Sequence, residues 1–187
     1  MKNTYKEIDG WCEEEITTLY DKAIKEFKDD SIFVELGCYK GKSTCYMIDA
    51  IKKSNKKIHF YVVDNFSLED VENEFKENLG EERLKSITLI NEDSLTASKY
   101  FTNNSIDFIF IDTIHNAEQL SNELYYWNPK IKENGLISGH DFTHCDLKNT
   151  FDILDIPLYN VIFSHLIHYE CTTSKGTFRN NSWWYIK

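Results

Sequence analysis

The sequence predicts an α/β protein whose doubly wound, mostly parallel sheet of about seven strands carries helices on both faces. Three observations carry that expectation. Apolar runs of strand length alternate with segments of helical period along the chain. The run Ile32 to Leu36 ends in two closely spaced glycines, Gly37 and Gly41, just before a helical pattern begins. The last two apolar runs have no clear helix between them, so the final strand is expected to be antiparallel.

Taken in order, Ile16, Leu19, Tyr20, Ala23, Ile24 and Phe27 have the spacing of an amphipathic helix that packs on the sheet. Ile32 to Leu36 then reads as a buried strand. Thr44, Met47, Ile48 and Ile51 continue on a second helical face, and Ile58 to Val63 forms the next strand, closed by Asp64. Ser67-Leu68-Glu69-Asp70 resembles a helix start, with Leu68, Val71, Phe75 and Leu79 on one face. Ile87 to Ile90 gives a third strand, followed by Asn91-Glu92-Asp93-Ser94 and a short helix over Leu95 to Phe101. Ile106 to Ile111 gives the fourth.

Ala117, Leu120, Leu124 and Trp127 mark a helix that ends near Pro129, because proline disfavours helical geometry in the residue before it. Gly135 opens a fifth strand through Ser138. Leu147, Phe151 and Leu154 suggest a last helix, and Leu158 to Phe163 and Trp183 to Ile186 two final strands. Tyr125, Tyr126 and Trp127 read as core and edge packing, and Trp183 and Trp184 as straddling the last strand.

A chain of 187 residues is expected to form one domain over residues 1–187, with a helical segment at 1–30 packed on it and no need of disulfide staples. Twenty-one basic residues against thirty-one acidic ones leave a net charge of −10. Such a surface repels a phosphate backbone, so no nucleic acid is expected as partner. The Lys52 to Lys57 cluster reads as the solvated end of a helix. Five cysteines, an odd number without a C-x-x-C pair, point to a reducing compartment and away from a disulfide framework. His165, His168 and Cys171 do not make a zinc site, because strand residues three apart face opposite ways. With neither a signal-peptide core nor a membrane-length apolar run, no membrane partner is expected and the location is read as cytoplasmic.

In a doubly wound sheet, ligands bind beyond the carboxyl ends of the strands. The acidic residues that close the strands, Glu35, Asp64, Asp93, Asp112 and Asp141, are therefore the candidate site. The segment Glu35 to Ser43 has three residues between its glycines where a phosphate-cradling loop has four, and it lacks the G-x-G-x-x-G pattern of dinucleotide sites. Asp64, 27 residues after Gly37, has a carboxylate suited to paired ribose hydroxyls, and it also reads as a turn residue. Asp93 could receive an adenine amino group, with the same alternative.

Glu35-Leu36-Gly37-Cys38-Tyr39-Lys40-Gly41-Lys42-Ser43 resembles the cofactor loop of class I S-adenosylmethionine-dependent methyltransferases, which share a Rossmann-like fold. The segments Ile106 to His115 and Gly135 to Phe142 narrow the likeness to small O-methyltransferases related to the macrolide and sugar enzymes, and more distantly to the catechol type. The resemblance runs from about Ile32 to Leu154. It implies that Glu35, Gly37 and Gly41 line the methionine end of the cofactor, Asp64 the ribose and Asp93 the adenine, with Ser43 and Ser94 also binding the cofactor. It implies further that Asp112, His140 and Asp141 hold Mg2+ or Mn2+, and that His115 is a general base beside Asp112. The acceptor is then a small-molecule hydroxyl on a sugar or secondary metabolite. The alternatives are an N-methyltransferase on the same fold, or a non-catalytic binder of S-adenosylmethionine or S-adenosylhomocysteine. The N-terminal helix or the last strand could support a homodimer. One departure stands out: where relatives carry Asp-Gly-Asp-His or Asp-Gly-Ser-His, this chain has Thr113 and Ile114 in the middle positions.

Overall fold

The structure is a computed structural model that describes residues 4–12, 14–114, 116–141, 169–173, 176–180 and 182–187. His115, His144, His165 and His168 lie outside the described residues, as do the expected helix over Leu147 to Leu154 and strand over Leu158 to Phe163.

In chain order the elements are α1 (Glu14–Glu26), β1 (Ser31–Leu36), α2 (Lys42–Ser54), β2 (Ile58–Asp64), α3 (Val71–Leu84), β3 (Ile87–Asn91) and α4 (Ser94–Ala97). They continue with β4 (Ile106–Ile111), α5 (Ala117–Trp127), β5 (Ile131–Gly139), β6 (Tyr169–Thr173), β7 (Gly176–Asn180) and β8 (Trp183–Ile186). The main sheet has six strands in the order β3-β2-β1-β4-β5-β8, parallel except for β8, which pairs antiparallel with β5. Doubly wound architecture and the antiparallel last strand agree with expectation. A seventh strand of this sheet is not found among the described residues, where β6 and β7 pair with each other as a separate hairpin.

The alternation of strand side chains divides the core between two faces. On β4, Ile109 and Ile111 join Trp127 of α5 and Trp183 of β8 on one side. Phe108 and Phe110 face the other way, against Ile16, Leu19 and Tyr20 of α1 and Met47 of α2. Ile16, Leu19, Tyr20, Ala23 and Ile24 of the stripe are thus the buried face of α1, while Phe27 follows its end half-buried, and Trp183 and Trp184 do fall on opposite sides of β8.

Some local readings differ. Leu68 is exposed ahead of α3 rather than on its buried face, because the helix begins only at Val71 after Asp70 takes left-handed φ. Tyr125 and Tyr126 are exposed rather than packed in the core, since the α5 stripe of Leu120, Leu124 and Trp127 points away from them. Strand β5 begins at Ile131, earlier than Gly135. Lys56 is not simply solvated: its ammonium donates to the carbonyls of Ile24, Lys25 and Phe27 and so closes the C-terminal end of α1.

The chain runs outward from β1 through β2 to β3 and then returns to β4 on the other side of β1. The direction of winding reverses between β1 and β4, which opens a crevice beyond their carboxyl ends. Gly37 and Asp112 follow those two strands.

Candidate active site

The loop after β1 is fixed by close backbone approach. Gly37 donates to Val63 O at 2.8 Å, and Asp112 N donates to Leu36 O at 2.8 Å. At φ +82° Gly37 is left-handed, and a Cβ there would lie 1.9 Å from Asp112 O, so only glycine fits. Gly41, at φ +85°, leads into α2 against Phe75 and Leu79, where a Cβ would meet Leu79 Cδ1 at 2.5 Å. Asp64 braces the loop from β2: Oδ2 accepts from Cys38 N at 2.8 Å and Tyr39 N at 3.1 Å, while Oδ1 accepts from Phe66 N at 2.8 Å. A carboxylate offers about four lone-pair sites, so capacity remains for a ligand hydroxyl.

Glu35 and Ser43 lie behind this loop. Glu35 is buried and accepts from Tyr20 Oη at 2.8 Å, Ser43 Oγ at 2.6 Å and Thr44 Oγ1 at 2.5 Å. Burial pushes its pKa up to about 7, against the opposing pull of the three hydroxyls. Their bonds tie α1 and α2 to β1. Of the residues expected to bind the cofactor through this loop, Gly37 reaches the cavity wall, and Glu35, Gly41 and Ser43 lie behind it.

The cavity beyond the loop has a volume of about 760 Å³. Its polar wall holds Asp64, Asp93, Ser94, Asp112, His140 and Asp141, so most of the residues singled out in the sequence come together. Asp93 caps α4, with Oδ1 accepting from Leu95 N at 3.1 Å and Thr96 N at 3.0 Å. Hydrogen bonding from Thr96 and Leu95 holds its carboxyl below the usual range. The apolar wall comes from Trp11, Tyr39, Phe66, Leu68 and Ile114. Trp11 is 62% exposed and its ring centroid lies 5.7 Å from that of Tyr39. The segment carrying it is strapped to the loop by Lys40 to Asp9 at 3.0 Å and Lys42 to Gly10 O at 2.9 Å.

Thr113, the departure from the resembled pattern, has a partner. Its Oγ1 donates to Glu123 Oε1 at 2.7 Å, and the same oxygen accepts from Ser94 Oγ at 2.5 Å and Gln119 Nε2 at 3.0 Å. Glu123 is fully buried under the cavity floor, and burial raises its pKa despite those donors. One carboxyl group thereby joins the turns after β3 and β4.

Asp112, His140 and Asp141 each offer a ligand atom, all within 4.8 Å of one another. His140 Nδ1 lies 3.4 Å from Asp141 Oδ2 and 3.9 Å from Asp112 Oδ1. Burial works against a charged imidazole here. Asp141 and Glu15 outweigh it, with Asp112 adding to them, and hold the His140 pKa well above the ordinary histidine range. Asp141 has φ 55°, a left-handed conformation that aspartate tolerates and that is common at functional turns. Two carboxylates and an imidazole at this spacing fit Mg2+ or Mn2+, with the nitrogen favouring manganese.

Sequence reasoning missed Glu15, Trp11 and Glu123. Glu15 stands four residues before Leu19 on the apolar stripe of α1, and Glu123 three after Leu120 on that of α5. An acid on an apolar face was the available signal. Nothing in the sequence marked Trp11.

A family model described as a methyltransferase domain matches residues 34–142, which span β1 to the end of β5 and every polar wall residue named above. The chain belongs to this methyltransferase family. As such it is an S-adenosylmethionine-dependent enzyme. No curated protein matches the methyltransferase. Solved structures share its fold. An rRNA methylase from Streptococcus thermophilus is 12% identical with a TM-score of 0.66, covering 95% of this chain and 99% of that one. A Streptococcus mutans protein described as a methyltransferase and solved with S-adenosylhomocysteine is 14% identical, with a TM-score of 0.63 and coverage of 95% and 99%. A precorrin 8W decarboxylase from Methanobacterium thermoautotrophicum is 18% identical, with a TM-score of 0.59 and coverage of 100% and 96%. The exclusion of nucleic acid drawn from net charge does not stand. An rRNA methylase has this fold over nearly the whole chain, and global charge says little about one local binding face. Among the described residues no helix is long and apolar enough to cross a membrane.

Proposed function

We propose that the methyltransferase carries out metal-assisted O-methylation of a small-molecule hydroxyl, as the small O-methyltransferases it resembles do. The observation that carries this reading is the meeting of Asp112, His140 and Asp141 in the same cavity as Gly37, Asp64 and Asp93. In this reading residues 1–187 act as one domain, with the segment before β1 closing the cavity through Trp11.

The sulfonium donor supplies an electrophilic methyl group. Gly37 would let the main chain approach its methionine part, Asp64 would accept from the ribose hydroxyls, and Asp93 with Ser94 would hold the adenine end. Asp112, His140 and Asp141 would hold Mg2+ or Mn2+, which lowers the pKa of a bound hydroxyl and orients it. Transfer to the acceptor oxygen would break the sulfur–carbon bond and release S-adenosylhomocysteine, with His115, the base that this reading assigns, taking the hydroxyl proton. Trp11, Tyr39 and Ile114 give the acceptor an apolar wall and exclude water.

The test is transfer of labelled methyl from S-adenosylmethionine to a panel of phenols, sugars, amines and rRNA transcripts, with and without chelator. Methylated hydroxyl compounds whose formation stops in chelator and resumes with Mg2+ or Mn2+ are expected. Label entering only RNA or amines, or full turnover in excess chelator, contradicts the proposal.

A further inference from the structure

Glu15 takes no part in the cofactor loop, and its surroundings are unusual for a carboxylate. It is 9% exposed at the start of α1, and neither carboxylate oxygen has a hydrogen-bond partner among the described residues. A buried carboxylate without a donor is costly unless a positive or polarised group faces it. The group it faces is His140, whose Nε2 lies 3.9 Å from Glu15 Oε1.

The other edge of the same ring turns to the metal-binding carboxylates, with Nδ1 3.4 Å from Asp141 Oδ2 and 3.9 Å from Asp112 Oδ1. The imidazole thus stands between one carboxylate on its Nε2 side and two on its Nδ1 side. Its main chain is held at both ends, since His140 N donates to Ile111 O at 3.1 Å and His140 O accepts from Trp183 Nε1 at 3.1 Å. What is left to set is the state of the ring. A histidine that ligates a cation needs a lone pair on one nitrogen, and a carboxylate beside the other nitrogen keeps the proton there.

We propose that Glu15 is the positioning residue of the divalent-cation site, keeping the proton on His140 Nε2 when a cation takes the place of the proton on Nδ1 between Asp112 and Asp141. The inference rests on the metal reading above. It makes α1 part of the site and gives a buried acid on an apolar helix face a reason to be there. A purely structural ion pair between Glu15 and an imidazolium has no such link to the metal.

The test is titration of Mn2+ into wild type, Glu15→Gln, His140→Ala and the double variant, followed by electron paramagnetic resonance of the free ion. Glu15→Gln should weaken Mn2+ binding about 10- to 100-fold while S-adenosylhomocysteine affinity, measured by calorimetry, stays at the wild-type value. In the His140→Ala background the same change should cost nothing further. A Glu15→Gln protein that binds Mn2+ within about twofold of wild type, or a loss that persists in full without His140, overturns the proposal. Wild type that takes up no Mn2+ at all removes the metal reading itself and this inference with it. Should Glu15→Gln fail to fold, ¹⁵N spectra of the histidine rings in Zn2+-loaded wild type give the same decision. A protonated Nε2 and a metal-shifted Nδ1 on His140 are expected, and the reverse tautomer contradicts the assignment.

Discussion

Glu35 shows how one buried carboxyl group couples the fold to pH. Its pKa rises from 4.5 to about 7 because burial penalises the charged form. Between those values the folded protein keeps a proton that the unfolded chain has lost, so the contribution is complete below about 4.5 and is gone above about 7. At about 1.4 kcal/mol per pKa unit the loss amounts to roughly 3 kcal/mol across that window. Urea unfolding of Glu35→Gln against wild type from pH 4.5 to 7.5 checks it. The glutamine variant should lack this fall in stability, and parallel curves for the two proteins would contradict the assignment. Asp64 carries a double load. Asp64→Ala should lower stability by about 1–3 kcal/mol through the loop N–H groups it abandons. It should also weaken S-adenosylhomocysteine binding about 10- to 100-fold in calorimetry. The sequence showed Asp64 as a ligand or a turn residue, and the structure has it bracing the turn with room for the ligand. The part played by Glu123 was less legible, because its partners Ser94, Thr113 and Gln119 are brought together only by the meeting of the turns after β3 and β4 with α5.

Among the elements, the parallel strands were the most legible, since a strand covered on both faces is mostly apolar, as β1 and β4 are apart from Ser31, Glu35 and Asp107. The hairpin of β6 and β7 was not read, because short antiparallel pairs depend on turn geometry and cross-strand pairing more than on long apolar runs. Gly37 joins β1 to the site, and Gly37→Ala must accept left-handed φ and a contact with Asp112 O. It should destabilise the protein by more than about 3 kcal/mol, combining a left-handed backbone cost of roughly 1–2 kcal/mol with steric displacement of β4. Chemical denaturation measures this, and a variant within about 1 kcal/mol of wild type would show the loop to be adaptable. Lys56→Met removes the ammonium that closes α1 and should cost about 1–2 kcal/mol. A larger loss of Mn2+ affinity than of stability in that variant would indicate that the set of α1 also positions Glu15.

For the whole molecule, winding of the sheet decides where chemistry can occur. The reversal between β1 and β4 places the Gly37 loop and the Asp112 turn side by side, and β5 adds His140 and Asp141 at the same edge. That much followed from strand order and strand-end residues. The apolar wall did not, because Trp11 reaches the cavity through the Lys40 to Asp9 and Lys42 to Gly10 contacts, far from it in sequence. Trp11→Ala should raise the KM of an apolar acceptor several-fold, by about 1 kcal/mol or more, and leave the KM of S-adenosylmethionine near wild type. Equal changes in both would place Trp11 on the cofactor instead. The central claim, that the crevice beyond β1 and β4 is the cofactor site, is tested most directly by calorimetric titration of S-adenosylhomocysteine into wild type and Asp93→Ala in the presence of chelator. The account predicts one site per chain in wild type, formed without metal, and an affinity at least about tenfold weaker in the variant. Wild-type protein that gives no binding heat and no protection against thermal unfolding, or an Asp93→Ala isotherm superimposable on wild type, would contradict it.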